Sequence, residues 1–340
     1  KIHFALIGLV IFSLFFPVIS GAQENKAEAA IEQIMKENPV MGLSVAVVKD
    51  NKFIYTHSFG LKDAETNTPL TNDNIFRIAS ISKSFSATAI MQLAEAKKVN
   101  LDQDVSELVG FKIRNPKFPE TLITLRLMLS HLSSINDNQG YFSLDSINPA
   151  KSANWHKCYN SYEPGKGYEY CNLNFNMIGT IIEKVSGERF DAYIQKHILE
   201  PLQLYGGYYV NGLDKSKFAN IYEYQPDAAK FVLSPNAYAP RTAEVAAYEM
   251  GYSTPIFSPT GGMKISAKDL ATYMMMHANY GKYNGVRIIS KKSSKRMQTA
   301  VSDLEPYGFA LETPATIIDG ISMVGHTGSA YGLFSAMFFN

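Results

Sequence analysis

Ser80 and Lys83 lie three residues apart in Ile75-Phe76-Arg77-Ile78-Ala79-Ser80-Ile81-Ser82-Lys83-Ser84-Phe85, and nowhere else in the chain does a Lys follow a Ser at that distance. A serine hydroxyl is a weak nucleophile until a neighbour takes its proton. Helix positions three apart share a face, so the hydroxyl and the amine can meet. A lysine in a partly dry site loses preference for its charge and can act as the base. If Ser80 opens a helix, its own N–H also faces an oxyanion formed there. That chemistry is acyl transfer: attack on a carbonyl, then release of the acyl group from the serine.

Two further groups suit the same reaction. Tyr170-Cys171-Asn172 follows the turn signal Pro164-Gly165-Lys166-Gly167 and precedes the apolar stretch Met177–Val185, which Ser186-Gly187 ends. On such a loop the Tyr170 phenol can relay a proton when a nearby cation lowers its pKa, and the Asn172 amide can hold a substrate carbonyl. Tyr209-Val210-Asn211 repeats the triplet, but the loop-then-helix setting favours Tyr170. The third group is His326-Thr327-Gly328-Ser329, between the apolar Ile318, Ile321, Met323 and Val324 and the run Leu333–Phe339. It reads as an edge strand whose glycine admits a ligand backbone. The Ser329 N–H would face the oxyanion, and His326 and Thr327 would bind a carboxylate or carbonyl.

The elements that must position these residues are legible in outline. Ala87–Ala96 has the three-and-four apolar spacing of an amphipathic helix and stops at Lys97-Lys98. Lys26–Glu37 also reads as helix. Gly42–Val48 and Lys52–Thr56 read as strands around the turn Lys49-Asp50-Asn51. From Ser80 to about Met250 the pattern is mostly helix and loop. Ser266 and Asp269 mark a helix start, after which strands return. Ligand sites are common where two such regions meet.

Ser-x-x-Lys, Tyr-x-Asn and His-Thr-Gly in that order resemble the serine β-lactamase and penicillin-binding DD-peptidase superfamily, a related form of which has Ser-Asp-Asn as its second motif. The tyrosine in the second motif points to the class C-related branch, which includes class C β-lactamases, DD-carboxypeptidases, D-aminopeptidases and esterases. The likeness runs from about Val40 to Asn340. Ile123–His131 and Ser258-Pro259-Thr260-Gly261-Gly262-Met263 resemble further family elements. The resemblance implies an α/β fold: an antiparallel sheet from both chain ends (about 23–79 and 255–340), flanked by helices, with an inserted, mostly helical region (about 80–254). It implies Ser80, Lys83 and Tyr170 as catalytic residues and Asn172, His326, Thr327, Gly328 and Ser329 as substrate-binding residues. It implies a peptidoglycan-like peptide, a β-lactam or an ester as substrate, and no cofactor. DD-peptidase-like activity is the first expectation; a class C-type β-lactamase or esterase on the same site is the alternative. A non-catalytic cell-wall binder or sensor is the reading from another class, since fold does not fix function. Dedicated class C β-lactamases have lysine where this chain has His326, and Leu132-Ser133-Ser134 lacks the glycine usual in that loop. The chain ends inside the expected strand run, so truncation at the C-terminus is expected.

Composition bounds the rest. With 340 residues and 46% hydrophobic content the chain can build a large core. Its formal net charge is +1, which gives no broad attraction to nucleic acid. Residues 1–22 read as a secretory signal: Lys1, an apolar stretch from Phe4 to Ile19, then Ser20-Gly21-Ala22 before Gln23. A secreted or periplasmic single domain over 23–340 follows, with an N-terminal anchor as the alternative. In an oxidising compartment the two cysteines, Cys158 and Cys171, are expected to form a disulfide, worth ~3 kcal/mol in the chain-entropy model; two buried thiols are the alternative. The seven histidines are scattered with no metal-ligand spacing, so no metal site is expected. The tyrosines between Tyr205 and Tyr252 read either as a substrate-facing wall or as half-buried packing under a long loop.

Overall fold

A computed structural model describes residues 21–340. The expected signal segment falls almost wholly on residues 1–20, outside the described part. Helix α1 (Gly21–Glu37) leads into the hairpin β1 (Gly42–Lys49) and β2 (Lys52–Asp63), to which β3 (Thr68–Pro69) adds. Asp50 and Asn51 turn that hairpin at positive φ, which short polar side chains tolerate. β4 (Phe76–Arg77) then meets a 3-10 turn, Ala79–Ile81, that opens directly into α2 (Ser82–Glu95).

The inserted region follows: α3 (Val105–Val109), α4 (Leu125–Leu129), α5 (Asn172–Ser186), α6 (Phe190–Ile194), β5 (Gly206–Gly207), the hairpin β6 (Tyr222–Gln225) and β7 (Lys230–Leu233), and α7 (Thr242–Ala246). The hairpin adds strand to a region expected to be helix and loop. β8 (Lys264–Ile265) lies between β4 and β5 and ties the insertion to the segment before Ser80. The chain closes with α8 (Ala267–Ala278), β9 (Lys282–Tyr283), β10 (Val286–Arg287), α9 (Lys291–Met297), β11 (Glu312–Ile318), β12 (Ile321–Ala330) and β13 (Leu333–Phe339). Ser266 caps α8 as expected, its Oγ accepting the Asp269 N–H at 3.0 Å.

The mixed α/β class with antiparallel sheet from both chain ends holds. The two ends contribute separate three-stranded ladders, β1-β2-β3 and β11-β12-β13, and α8 packs against both β1 and β13. Helix α2 differs from its expected amphipathic form. Every residue from Ser82 to Met91 is buried, so the helix runs through the core. Its polar positions are satisfied internally: Ser84 Oγ donates to the Ile81 carbonyl, Ser86 Oγ to the Pro259 carbonyl and Thr88 Oγ1 to the Ser84 carbonyl. Small serines and alanines let neighbours approach from all sides, and α5, whose Phe175, Ile178 and Ile182 are fully buried, packs against it.

A buried carboxylate holds the long loop over α5. Glu183 accepts the N–H groups of Phe190 and Gly251 at 2.8 and 2.7 Å and the Thr254 hydroxyl at 2.8 Å, with Tyr248 as a fourth donor. Glu183→Ala orphans these donors in the interior and is expected to lower stability by at least about 3 kcal/mol. Chemical denaturation measures this; a loss below about 1 kcal/mol would mean that other contacts hold the loop. The nearby tyrosines act as pegs in the same way. Tyr208 donates to the Ser82 carbonyl, Tyr238 to the Ala219 carbonyl, and Tyr222 accepts the Ala64 N–H. These three tyrosines of the Tyr205–Tyr252 stretch are thereby tied into the packing.

Candidate active site

The 3-10 turn holds Ser80 in a strained and well-anchored backbone. Ala79 sits at φ 50°, a left-handed conformation that costs a non-glycine residue about 1 kcal/mol or more. Flanking contacts enforce it: the Ile78 N–H donates to the Met263 carbonyl at 3.0 Å, Arg77 Nε to the Gly261 carbonyl at 2.9 Å, and the Met263 N–H to Ser82 Oγ at 3.0 Å. Ser80 is therefore one turn earlier than α2 itself, and the three-residue spacing still brings Lys83 Nζ to 3.0 Å from Ser80 Oγ.

Lys83 has no exposed surface. Its Nζ donates to Asn172 Oδ1 at 2.9 Å and to the Thr260 carbonyl at 3.0 Å. Burial pulls its pKa down to about 7, against an opposing pull from Asp137. A neutral amine has two protons and one lone pair. With both protons on Asn172 and Thr260, the lone pair is left for the Ser80 hydroxyl.

Asn172, the first residue of α5, is fixed from both ends. Its side-chain NH₂ donates to Asp137 Oδ2 at 2.9 Å, while its oxygen also accepts the Thr260 hydroxyl at 2.8 Å. One helical turn on, Asn176 Oδ1 accepts the Thr260 N–H at 3.3 Å, so one face of α5 carries the Thr260 loop. The Asn172 amide, expected to hold substrate, is thus engaged with Lys83. Tyr209-Val210-Asn211 lies elsewhere, with exposed Asn211 bonded to Thr242.

Tyr170 stands over Lys83, its ring centroid 4.7 Å from Nζ. Its hydroxyl is buried with no hydrogen-bond partner of ordinary geometry. The expected electrostatics are reversed: burial raises the phenol's pKa, offset only in part by Ser80, so Tyr170 stays protonated. The reason is the removal of water from the phenol, which disfavours the phenolate. His131 aligns the backbone on either side of Tyr170. Its carbonyl accepts the Glu169 N–H, and its Nδ1 accepts the Cys171 N–H, both at 3.0 Å. The imidazole is buried and kept neutral.

β12 supplies the opposite wall. It pairs with β11 only from Ile318↔Ile321 to Glu312↔Gly325, so Thr327–Ala330 has β13 as its one strand neighbour. Gly328 lies against the turn of Ser80: a Cβ there would fall 2.4 Å from the Ile78 carbonyl oxygen and 3.1 Å from the Ser80 nitrogen. Only glycine fits this approach, which brings β12 against the Ser80 turn. Ser335 Oγ pins β13 to the same turn through the Ile78 carbonyl at 2.9 Å. Thr327 is exposed on the strand, whereas His326 is 3% exposed and faces inward.

His326 is enclosed and bonded at both ring nitrogens. Its Nδ1 lies against the Thr327 carbonyl, which can only accept, so Nδ1 carries the proton. Nε2 then accepts the Tyr307 hydroxyl at 2.9 Å. Burial, reinforced by Lys83, lowers its pKa to about 4. Both nitrogens are occupied in this arrangement, and the ring is neutral. The expected disulfide is also absent: Cys158 and Cys171 are free and buried. Each thiol has its own acceptor, the Ser146 carbonyl for Cys158 and Asp137 Oδ1 for Cys171, both at 3.3 Å.

The structure thus joins Ser80, Lys83, Tyr170, Asn172 and Gly328, with Ser329 next to Gly328 on β12. It adds Asp137, Thr260, His131 and Tyr307, to which sequence reading assigned no role. Thr260 had a signal in its Pro-Thr-Gly-Gly setting; Asp137 stands in Asn136-Asp137-Asn138, which reads as an ordinary turn. A cleft of about 470 Å³ at the far end of α2, lined by Lys97, Lys98, Arg126 and Arg296 among others, contains none of these residues. No group of acidic, histidine or cysteine side chains suited to a metal ion occurs among the described residues.

Known proteins resemble this chain in sequence and fold to varying degree. The "Protein flp" of Staphylococcus aureus (strain MW2) is 26% identical over 195 residues, covering 55% of this chain and 38% of that protein. "Esterase EstB" of Burkholderia gladioli is 26% identical over 208 residues, covering 55% of this chain and 52% of that protein. The chain therefore aligns with only about two fifths to one half of these relatives. The octameric penicillin-binding protein homologue from Pyrococcus abyssi superimposes with a TM-score of 0.73 at 28% identity, covering 90% of this chain and 68% of that one. The family model described as Beta-lactamase matches residues 27–340, nearly the whole described chain, so this protein belongs to the beta-lactamase family.

Proposed function

We propose that this chain is a serine acyl-hydrolase that works through an acyl-enzyme on Ser80, of the penicillin-binding, DD-peptidase-like kind. The observation that carries the reading is the fully buried Lys83 amine, 3.0 Å from Ser80 Oγ and also bonded to Asn172 Oδ1 and the Thr260 carbonyl. Lys83 takes the Ser80 proton as Oγ attacks an amide, ester or β-lactam carbonyl. The N–H groups of Ser80 and Ser329 stabilise the oxyanion, each donor lowering the barrier by ~3 kcal/mol. The protonated Tyr170 phenol passes a proton to the leaving group and recovers one from Lys83. Water then cleaves the ester on Ser80. Thr327 and the free edge of β12 align the substrate backbone.

An esterase on the same site is the second reading, favoured by the neutral, enclosed His326, which gives no charge for a substrate carboxylate. The ordered Ser80–Lys83 contact counts against a purely binding or sensing role. Export belongs to the proposal and rests on the apolar stretch Phe4–Ile19; no helix of the described residues is long and apolar enough to cross a membrane. One experiment addresses these points: intact mass of the protein recovered from the secreted or periplasmic fraction, followed over time with benzylpenicillin. A mass beginning at Gln23 with a lasting single adduct supports an exported penicillin-binding peptidase. Antibiotic consumed without an adduct supports a β-lactamase. Antibiotic intact, with p-nitrophenyl acetate hydrolysed, supports the esterase. Inertness toward all of these and toward a fluorophosphonate would overturn the hydrolase reading, and retention of Lys1 would overturn export by cleavage.

A further inference from the structure

We propose that Asp137 is the positioning residue of the Ser80–Lys83 pair, turning the Asn172 amide so that its oxygen, and not its NH₂, faces the lysine. Asp137 comes from the loop after α4 and reaches the start of α5. Its Oδ2 accepts both the backbone N–H and the side-chain NH₂ of Asn172 at 2.9 Å; its Oδ1 accepts the Leu173 N–H at 2.9 Å and the Cys171 thiol at 3.3 Å. Cys171, at the N-cap position of α5, makes no side-chain cap bond, so the carboxylate serves the first turn of a 15-residue helix from outside it.

The chemical consequence lies one bond further on. A carboxylate can only accept, so the Asn172 group facing it must be the donor NH₂. Oδ1 then points the other way, to Lys83 Nζ at 2.9 Å and the Thr260 hydroxyl at 2.8 Å. If the amide turned over, its NH₂ would face the amine and its N–H would compete with the Ser80 hydroxyl for the lone pair. The Thr260 hydroxyl does not prevent this, because it can donate or accept.

Asp137 also sets the charge seen by Lys83. The groups facing that amine are Ser80 from the 3-10 turn, Tyr170 and Cys171 before α5, Asn172 on α5, His131 after α4, His326 on β12 and the Thr260 carbonyl. Burial keeps both imidazoles neutral and raises the phenol and the thiol, so Asp137 supplies the negative charge among them. Removing it makes Lys83 easier to deprotonate.

The inference rests on the acyl-enzyme reading, and the test separates the two. Acylation is followed with p-nitrophenyl acetate and a fluorophosphonate across pH. In D137N the plateau of kcat/KM is expected to fall at least about tenfold, while the acidic limb moves to lower pH by about half to one unit. A residue that only caps α5 would lower Tm and leave the limb in place; that result overturns the proposal. Should D137N be too unstable to assay, D137E keeps the charge and displaces the oxygens. It is expected to hold the limb and lose at least about tenfold in plateau rate, and an unaltered plateau would overturn the proposal. Failure of the wild type to react with either reagent would instead remove the acyl-enzyme reading.

Discussion

Ser80→Ala is expected to abolish covalent labelling by a fluorophosphonate and by benzylpenicillin, with the fold unchanged. The hydroxyl lost is the one in contact with Lys83 Nζ, and no other serine in the chain has the spaced lysine that would activate it. The backbone that carries Ser80 is held by Ile78, Arg77, Ser82 and Ser335, none of which uses the Ser80 side chain. Stability should therefore stay within about 0.5 kcal/mol of the parent. Intact-mass spectrometry with a thermal melt measures both quantities. An adduct that persists on the folded variant would move the nucleophile elsewhere and dismiss the assignment.

Lys83→Met is expected to slow acylation by about a thousandfold while preserving packing, since methionine fills a similar volume. The pH dependence gives this prediction its sign. Burial lowers the amine to about 7 from an ordinary 10.5. Above about 7 the neutral amine accepts the Ser80 proton; below it the ammonium has no lone pair, and kcat/KM should fall about tenfold per unit. That acidic limb should vanish in the Met variant, leaving a low, flatter profile. Because the folded pKa lies below the unfolded one, the unfolded chain binds more protons between about 7 and 10.5. Stability should therefore rise with pH across that window in the parent, and the contribution should be missing in Lys83→Met. Steady-state kinetics on p-nitrophenyl acetate and pH-dependent melts report the two effects. A limb that survives in Lys83→Met would assign it to another group.

Local rules were enough for several parts of the molecule. The turn Asp50-Asn51, the cap at Ser266 and the stop at Ser186-Gly187 are each set by residues within a few positions, and each appears where expected. Gly328 was legible as a place of close approach, although the partner proved to be the Ser80 turn. Helix α2 misled because its three-and-four apolar spacing implied one exposed face, while the fold buries every residue from Ser82 to Met91. Asp137 gave no local signal because its partners, Asn172 and Leu173, are some 35 residues away.

The sequence by itself determined that Ser80, Lys83, Tyr170 and the Gly328 strand are the candidates for one site, and their order along the chain. It also settled the Ser80–Lys83 contact, because three-residue spacing on a helical turn is a local geometric fact. The tertiary structure alone decided the protonation states. The Lys83 amine is lowered to about 7, the Tyr170 phenol stays protonated and the His326 imidazole stays neutral because each is enclosed by segments remote in the chain, and charge responds to the water and partners those segments remove or supply. It likewise decided that Cys158 and Cys171 remain thiols, since the fold gives each a separate acceptor.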